Sequence, residues 1–183
     1  MPTDRRILRT RKRLQEALLS LIKEKGYDQI TIQDILDRAD VGRSTFYSHF
    51  LNKDDLMLGN LKADLLTLKF EQTEDGQLPS VAWLFEHTKS NFPLYRALSK
   101  SDVIHHIFQN LTEGFQRNWL QYLESRNDTG NAFNLPRPAV AAYLSNALIG
   151  LLKWWLENGA ILPPHEMHNV FQQITMNGLY GKP

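Results

Sequence analysis

The chain has 183 residues, of which 42% are hydrophobic and 22% charged, and it contains no cysteine. That composition fits one globular domain, or two small ones sharing a core, and it excludes disulfide scaffolds, thiolate zinc sites and thiol catalysis. The net charge of +1 hides an asymmetry, because residues 1–53 carry eleven Lys or Arg against seven Asp or Glu, with six of those basic residues between Arg5 and Arg13. Such a basic end suits a polyanion; a solvated helix face would look the same.

The sequence predicts helix almost throughout. Ile7, Leu14, Ala17, Leu18, Leu21 and Ile22 recur at helical spacing, and Gly26 stands where a C-cap belongs. Thr31 reads as the N-cap of a short helix with Ile32, Ile35, Leu36 and Ala39 on its apolar side and Asp34 in its first turn. Asp40-Val41-Gly42 is a tight break. Arg43 to Phe50 is expected to form a second short helix with Phe46 and Phe50 inward. Asn52-Lys53-Asp54-Asp55 opens a helix running to about Gln72, with acidic residues at its positive end.

Thr73 to Ser80 reads as a loop, followed by a helix to about Asn91, an interruption at Pro93 and a short helix through Leu98. Asp102 is the expected cap of a long helix ending near Ser125. Its inward positions are Ile104, Ile107, Phe108, Leu111, Phe115, Trp119, Tyr122 and Leu123. Arg126 to Pro138 is a second loop. A strongly apolar helix then runs to about Asn158, stopped by Gly159, and Pro163-Pro164 starts a last helix ending near Gly178. No segment alternates like a half-buried strand.

The helix from Pro138 has fourteen apolar or aromatic residues among the eighteen from Ala139 to Leu156, close to the length of a membrane span. Ser145, Asn146 and Lys153 interrupt it, and a mid-span lysine is costly. A helix apolar on most sides is buried on most sides. One side can serve the subunit core and the other a second subunit. Ala142, Asn146 and Gly150 form an i, i+4, i+8 row that lets another helix approach closely. Met167, Val170, Phe171 and Ile174 give the last helix a similar face. Together these are the expected homodimer surface; the alternative is that both helices complete a monomer core.

Thr31 to Phe50 has helix-turn-helix spacing, with small Ala39 at the crossing and Val41 and Phe46 filling the angle. The outward residues of its second helix are Arg43, Ser44, Thr45, Tyr47, Ser48 and His49, without a carboxylate. From the basic first helix through Gly26-Tyr27, Thr31, Ile35, Ala39 and the run STFYSHF to Lys53 and Leu56, the sequence resembles the TetR family of bacterial transcriptional regulators. Asp40, Gly42 and Ser44 depart from the residues usual there, and the resemblance covers roughly the first third of the chain.

The resemblance implies an all-α homodimer of about nine helices. It pairs an N-terminal three-helix helix-turn-helix DNA-binding head, residues 1–53, with a C-terminal helical ligand-binding and dimerisation body, residues 54–183. The DNA-contacting positions it implies are Thr31, Gln33, Arg43, Ser44, Thr45, Tyr47, Ser48, His49 and Lys53. Arg43 would read a guanine through O6 and N7. Ser44 and Thr45 would touch base edges, and Gln33 a base or a phosphate. Tyr47, His49, Thr31 and Lys53 would hold phosphates. His49 packed on the fourth helix and Gln33 as a solvated side chain are the plainer readings.

The resemblance also implies an effector pocket in the body, for which Trp83, Phe108, Phe115, Trp119, Tyr122 and Tyr143 are the candidates. Their character points to a small apolar or aromatic ligand. A plain core would give the same aromatic stripe. No cofactor or metal is expected: His165 and His168 alone are a weak metal motif, and the chain has no G-x-S-x-G, P-loop or H-E-x-x-H. An all-α metal-dependent enzyme and a regulator working only through protein contact are the competing classes. The charged start, without an apolar signal segment, leads to the expectation of a cytoplasmic protein.

Overall fold

The computed structural model describes residues 2–65, 78–125 and 135–177, and these form nine α-helices with no strand among them. They are α1 (Pro2–Lys25), α2 (Ile32–Ala39), α3 (Arg43–Tyr47), α4 (Lys53–Leu65), α5 (Ala82–Ser90), α6 (Phe92–Leu98), α7 (Val103–Ser125), α8 (Arg137–Glu157) and α9 (Pro164–Asn177). The helix expected to continue past Leu65, most of the two predicted loops and the predicted end at Gly178 lie outside the described residues. By contact, the chain divides into two compact units. The first comprises residues 1–64 and 93–107, the second residues 65–92 and 108–183.

In the first unit α1 packs on α2. The α1 stripe Leu14, Ala17, Leu18, Leu21 and Ile22 is buried, as are Ile35, Leu36 and Ala39 of α2. Ile7 shares the predicted periodicity but is 40% exposed, because the buried stripe begins only at Leu14. Gly26 follows α1 with φ +76°, a left-handed C-cap conformation in which its amide reaches the Ile22 carbonyl at 3.1 Å. At the start of α7 the side-chain oxygen that meets the first amide belongs to Ser101 rather than Asp102: the Val103 amide donates to Ser101 Oγ at 3.4 Å.

In the second unit α5 and α8 each pack against α9. Phe115, Trp119 and Trp155 are buried, with Phe85 set edge-on to Trp155 at 5.4 Å. Trp155 Nε1 donates to the Leu162 carbonyl at 3.0 Å, tying α8 to the turn before α9. α8 is long and apolar enough to cross a membrane, yet Ala141, Leu144, Ser145, Leu148, Ile149, Leu152 and Trp155 line a buried side, as in a core helix. Lys153, whose place in that apolar run needs a reason, lies half-buried with its ammonium 4.9 Å from the centre of the Phe108 ring.

One face of α9 clamps the segment before α5. Gln172 Nε2 donates to the Leu78 carbonyl at 2.9 Å, and His168 Nδ1 accepts from the Val81 amide at 3.4 Å. An imidazole accepting at Nδ1 must be unprotonated there, and partial burial lowers the His168 pKa below its ordinary value. The unfolded chain therefore takes up this proton first. The contribution of His168 to stability is complete above about pH 6.5 and declines as the pH falls below that value. Urea midpoints at about pH 7.5 and 5.5 should accordingly drop less for His168→Gln than for the parent chain. An equal drop would show that His168 is not a source of acid sensitivity.

Candidate nucleic-acid interface

The expected helix-turn-helix is present, and its first helix is capped from within. Thr31 Oγ1 accepts from the Asp34 amide at 3.2 Å, and the Asp34 carboxylate accepts from the Thr31 amide at 2.7 Å, a reciprocal capping box. Lys25 joins the same carboxylate at 2.8 Å. The Lys25 ammonium first, and Thr31 second, hold Asp34 well below the usual carboxylate range. The anion at the N-terminus of α2 is thus an internal one. Thr31, expected to meet a phosphate, instead spends its hydroxyl and amide on Asp34.

The turn after α2 places Asp40 at φ +48°, a left-handed conformation that Asp tolerates better than most residues. Arg13 Nη2 donates to both its carbonyl, at 3.1 Å, and its carboxylate, at 3.2 Å. α3 then starts from Gly42, an extended residue with no side chain to cap the helix. The helix has five residues and stops at Tyr47, short of the expected Phe50. Ser48 Oγ donates to the Thr45 carbonyl at 2.7 Å, and the amides of His49 and Phe50 both converge on the Phe46 carbonyl at 2.9 Å, closing the chain into a turn.

Phe46 and Phe50 are buried as expected. Arg43, Ser44, Thr45, Tyr47 and Ser48 are exposed, and His49 is half-buried with its ring 6.3 Å from that of Phe50. Tyr47 is 49% exposed and sets its ring edge-on to Phe46 at 5.3 Å. The structure brings Gln33 and Arg43 together, with Arg43 Nη2 donating to Gln33 Oε1 at 2.9 Å. It also adds a residue that the sequence reading passed over. Asp37, four residues after Gln33, accepts from Gln33 Nε2 at 2.8 Å. The i, i+4 spacing of a Gln and an Asp on one helix was the available signal.

Lys53 departs from expectation. Its ammonium donates to the carbonyls of Tyr27, at 2.8 Å, and Ile30, at 2.9 Å, and lies 4.2 Å from the centre of the Tyr27 ring. Burial lowers its pKa despite the nearby Asp54 and Asp28. The Tyr27 hydroxyl donates to Asp54, and burial, reinforced by that carboxylate, pushes the phenol far up. Lys53 is therefore a clamp between α4 and the α1–α2 connection, not a charge held out for phosphate. Arg11 covers the Phe50 ring, 4.8 Å from its centre.

The effector and dimer candidates lie in the second unit. Phe108, Phe115, Trp119 and Tyr122 are buried and Trp83 is half-buried. Trp83 meets Phe115 at 5.9 Å, and Trp119 meets Tyr122 at 6.0 Å and Phe171 at 6.2 Å, so the stripe is filled by the chain's own rings. Tyr143 is 55% exposed and does not share that burial. Met167 and Phe171, expected on a dimer face, are buried within the single chain because they form the inner side of α9. Asn146 and Gly150 are exposed, and Ala142, Val170 and Ile174 are half-exposed.

Comparison with known proteins gives a consistent picture. Residues 14–59 match the family model for bacterial regulatory proteins of the tetR family, and residues 78–177 match that of a transcriptional regulator C-terminal region. An uncharacterized HTH-type transcriptional regulator of Bacillus subtilis, YxbF, is 28% identical over 180 residues, covering 93% of this chain and 46% of that protein. The HTH-type dhaKLM operon transcriptional activator DhaS of Lactococcus lactis is 35% identical over 48 residues, 26% of each chain. This chain thus spans less than half the length of YxbF, and only a 48-residue segment matches DhaS. Among solved structures, a TetR transcriptional regulator from Streptococcus agalactiae is 25% identical with a TM-score of 0.60, over 96% of this chain and 98% of that one. The fatty acid degradation regulator FadR of Bacillus halodurans shares the fold, with a TM-score of 0.62 at 16% identity, over 94% of this chain and 97% of that one.

Gly42 offers a direct test of the α3 geometry. Its φ of −69° and ψ of 150° suit serine, and a Cβ there would meet open space. Gly42→Ser should cap α3 and stabilise the chain by about 0.3 kcal/mol, seen as a small rise in the urea midpoint. An unchanged or lowered midpoint would show that the α3 terminus is not short of a cap.

Proposed function

The chain belongs to the TetR family of bacterial transcriptional regulators, and from that premise we propose that it is a ligand-responsive repressor binding a palindromic operator as a homodimer. The observation that carries the reading is the surface of α3 and the following turn, where Arg43, Ser44, Thr45, Tyr47 and Ser48 stand exposed above buried Phe46 and Phe50, with no acidic residue from Val41 to Lys53. A short helix with such a face suits the major groove, and two copies related by a twofold axis suit a palindrome. Arg43 is assigned to a guanine, Ser44 and Thr45 to neighbouring base edges, and Tyr47, Ser48 and His49 to phosphates. Arg5, Arg6 and Arg9, all exposed on α1, add sequence-independent attraction.

In this reading residues 1–53 read DNA and residues 54–183 sense and dimerise. A cytoplasmic site of action follows from the role. The dimer contact is assigned to the outer side of α8, where Tyr143 is 55% and Trp154 50% exposed beside Ala142, Asn146 and Gly150, extended by Val170 and Ile174 of α9. Two exposed aromatics beside small residues on an otherwise apolar helix suit an interaction surface. The effector is a small apolar or aromatic molecule. It acts by binding the DNA-incompetent state more tightly than the competent one, the only way a ligand shifts such an equilibrium. Repression is taken from the commoner habit of the family.

Two experiments divide these assignments. A side chain at Gly150 would meet nothing within the chain, so Gly150→Arg should leave the fold intact and strengthen α8 by about 1 kcal/mol while blocking a partner helix. Sedimentation should show a folded monomer; an undisturbed dimer would move the interface elsewhere. On a duplex selected from a random pool, Arg43→Ala should lose about 1–3 kcal/mol and relax specificity at one base pair, whereas Tyr47→Phe should weaken all sequences alike. Equal losses from both variants on every duplex would contradict that division of labour.

A further inference from the structure

Three exposed side chains of the head form a polar chain whose direction is forced by chemistry. Asp37, as a carboxylate, only accepts hydrogen bonds, and Arg43 only donates them. Gln33 lies between them, its Nε2 on Asp37 at 2.8 Å and its Oε1 on Arg43 Nη2 at 2.9 Å. The glutamine amide satisfies both neighbours in one orientation alone, so its oxygen is turned toward the arginine. The bond occupies one N–H of a guanidinium that carries five, leaving donors for a bidentate contact with a base.

The other charges of α2 are already engaged. Asp34 is held by Lys25 and Thr31, and Arg38 by Glu24 at 2.7 Å. A carboxylate beside a DNA-reading arginine repels phosphate and is unfavourable unless it does something else. Resting on the assignment of Arg43 as a base reader, we propose that Asp37 and Gln33 are positioning residues that pre-orient the Arg43 guanidinium. Gln33 then acts through Arg43 and not on DNA. The relay gives up a little non-specific affinity to Asp37's charge and gains discrimination at one base pair, because a guanidinium already aligned loses less freedom on binding.

The test measures binding of the full chain to a selected duplex, to the same duplex altered at the pair where Arg43→Ala loses discrimination, and to random duplex. Asp37→Ala removes a negative charge, so affinity for random duplex should hold or rise. Discrimination at that pair should nonetheless fall about three- to tenfold, the worth of one hydrogen bond. Asp37→Asn retains an acceptor oxygen and should keep most of the discrimination. Gln33→Ala should match Asp37→Ala in the parent chain, and neither should matter in an Arg43→Ala background.

Unchanged discrimination in Asp37→Ala, with Arg43 still essential, would overturn the relay alone. So would a Gln33→Ala loss that is equal on all duplexes and persists without Arg43, which would make Gln33 a phosphate contact. If Arg43→Ala costs no discrimination at any pair, the base-reading assignment fails and the relay fails with it.

Discussion

The exposed polar surface of α3 depends on the burial of Phe46. A five-residue helix closes too few hydrogen bonds to repay its own nucleation, so α3 has no stability apart from what it packs on. Phe46 is the one residue of α3 that is fully buried, and burying such a ring contributes about 1.5–3 kcal/mol. Phe50 continues the anchor after the helix has closed into a turn. Gly59 of α4 leaves room for that ring, since a Cβ there would come within 3.3 Å of it. With the inner side fixed at two aromatic positions, the remaining side chains of the segment are free to be short, polar and exposed.

The frame around that helix is held by charges turned inward. Lys53 joins α4 to the carbonyls of Tyr27 and Ile30, and the Tyr27 hydroxyl returns the contact to Asp54. Thr31 and Asp34 close the start of α2 on each other, and Arg13 covers the strained Asp40 turn. Several residues that look like a basic, DNA-facing surface in the sequence are therefore structural ties. The polar side chains that stay exposed on α3 and the turn after it are few and sit together. Of these, Arg43 alone carries a fixed positive charge, and one of its N–H groups donates to Gln33.

Much of this was legible in the residue pattern, for reasons that can be named. The stripe from Leu14 to Ile22, the Thr31 cap, the tight turn at Asp40 and the inward phenylalanines are local signals, each set by spacing along one helix. What was not legible depends on residues far apart in sequence. The family resemblance points Lys53 at phosphate, and nothing near it in the sequence reveals two carbonyls more than twenty residues away. Asp34 reads as a helix-start residue, but its occupation of the anion site at Thr31 becomes evident only with the capping geometry. In the second unit, helical spacing located the apolar faces of α7 and α9 but could not say which side would be buried within the chain. Met167 and Phe171 turned inward, and the aromatic stripe filled itself with its own rings.

The central claim is that the exposed surface of α3 reads a specific, twofold-symmetric DNA sequence. The most direct measurement is selection of binding sites from a random duplex pool by the purified chain at about 0.15 M salt, with no ligand added. The account predicts enrichment of a palindrome whose half-sites lie about one helical turn apart or a multiple of it. Failure to enrich any sequence, by protein that has also been unfolded and refolded to strip a co-purified ligand, would contradict it.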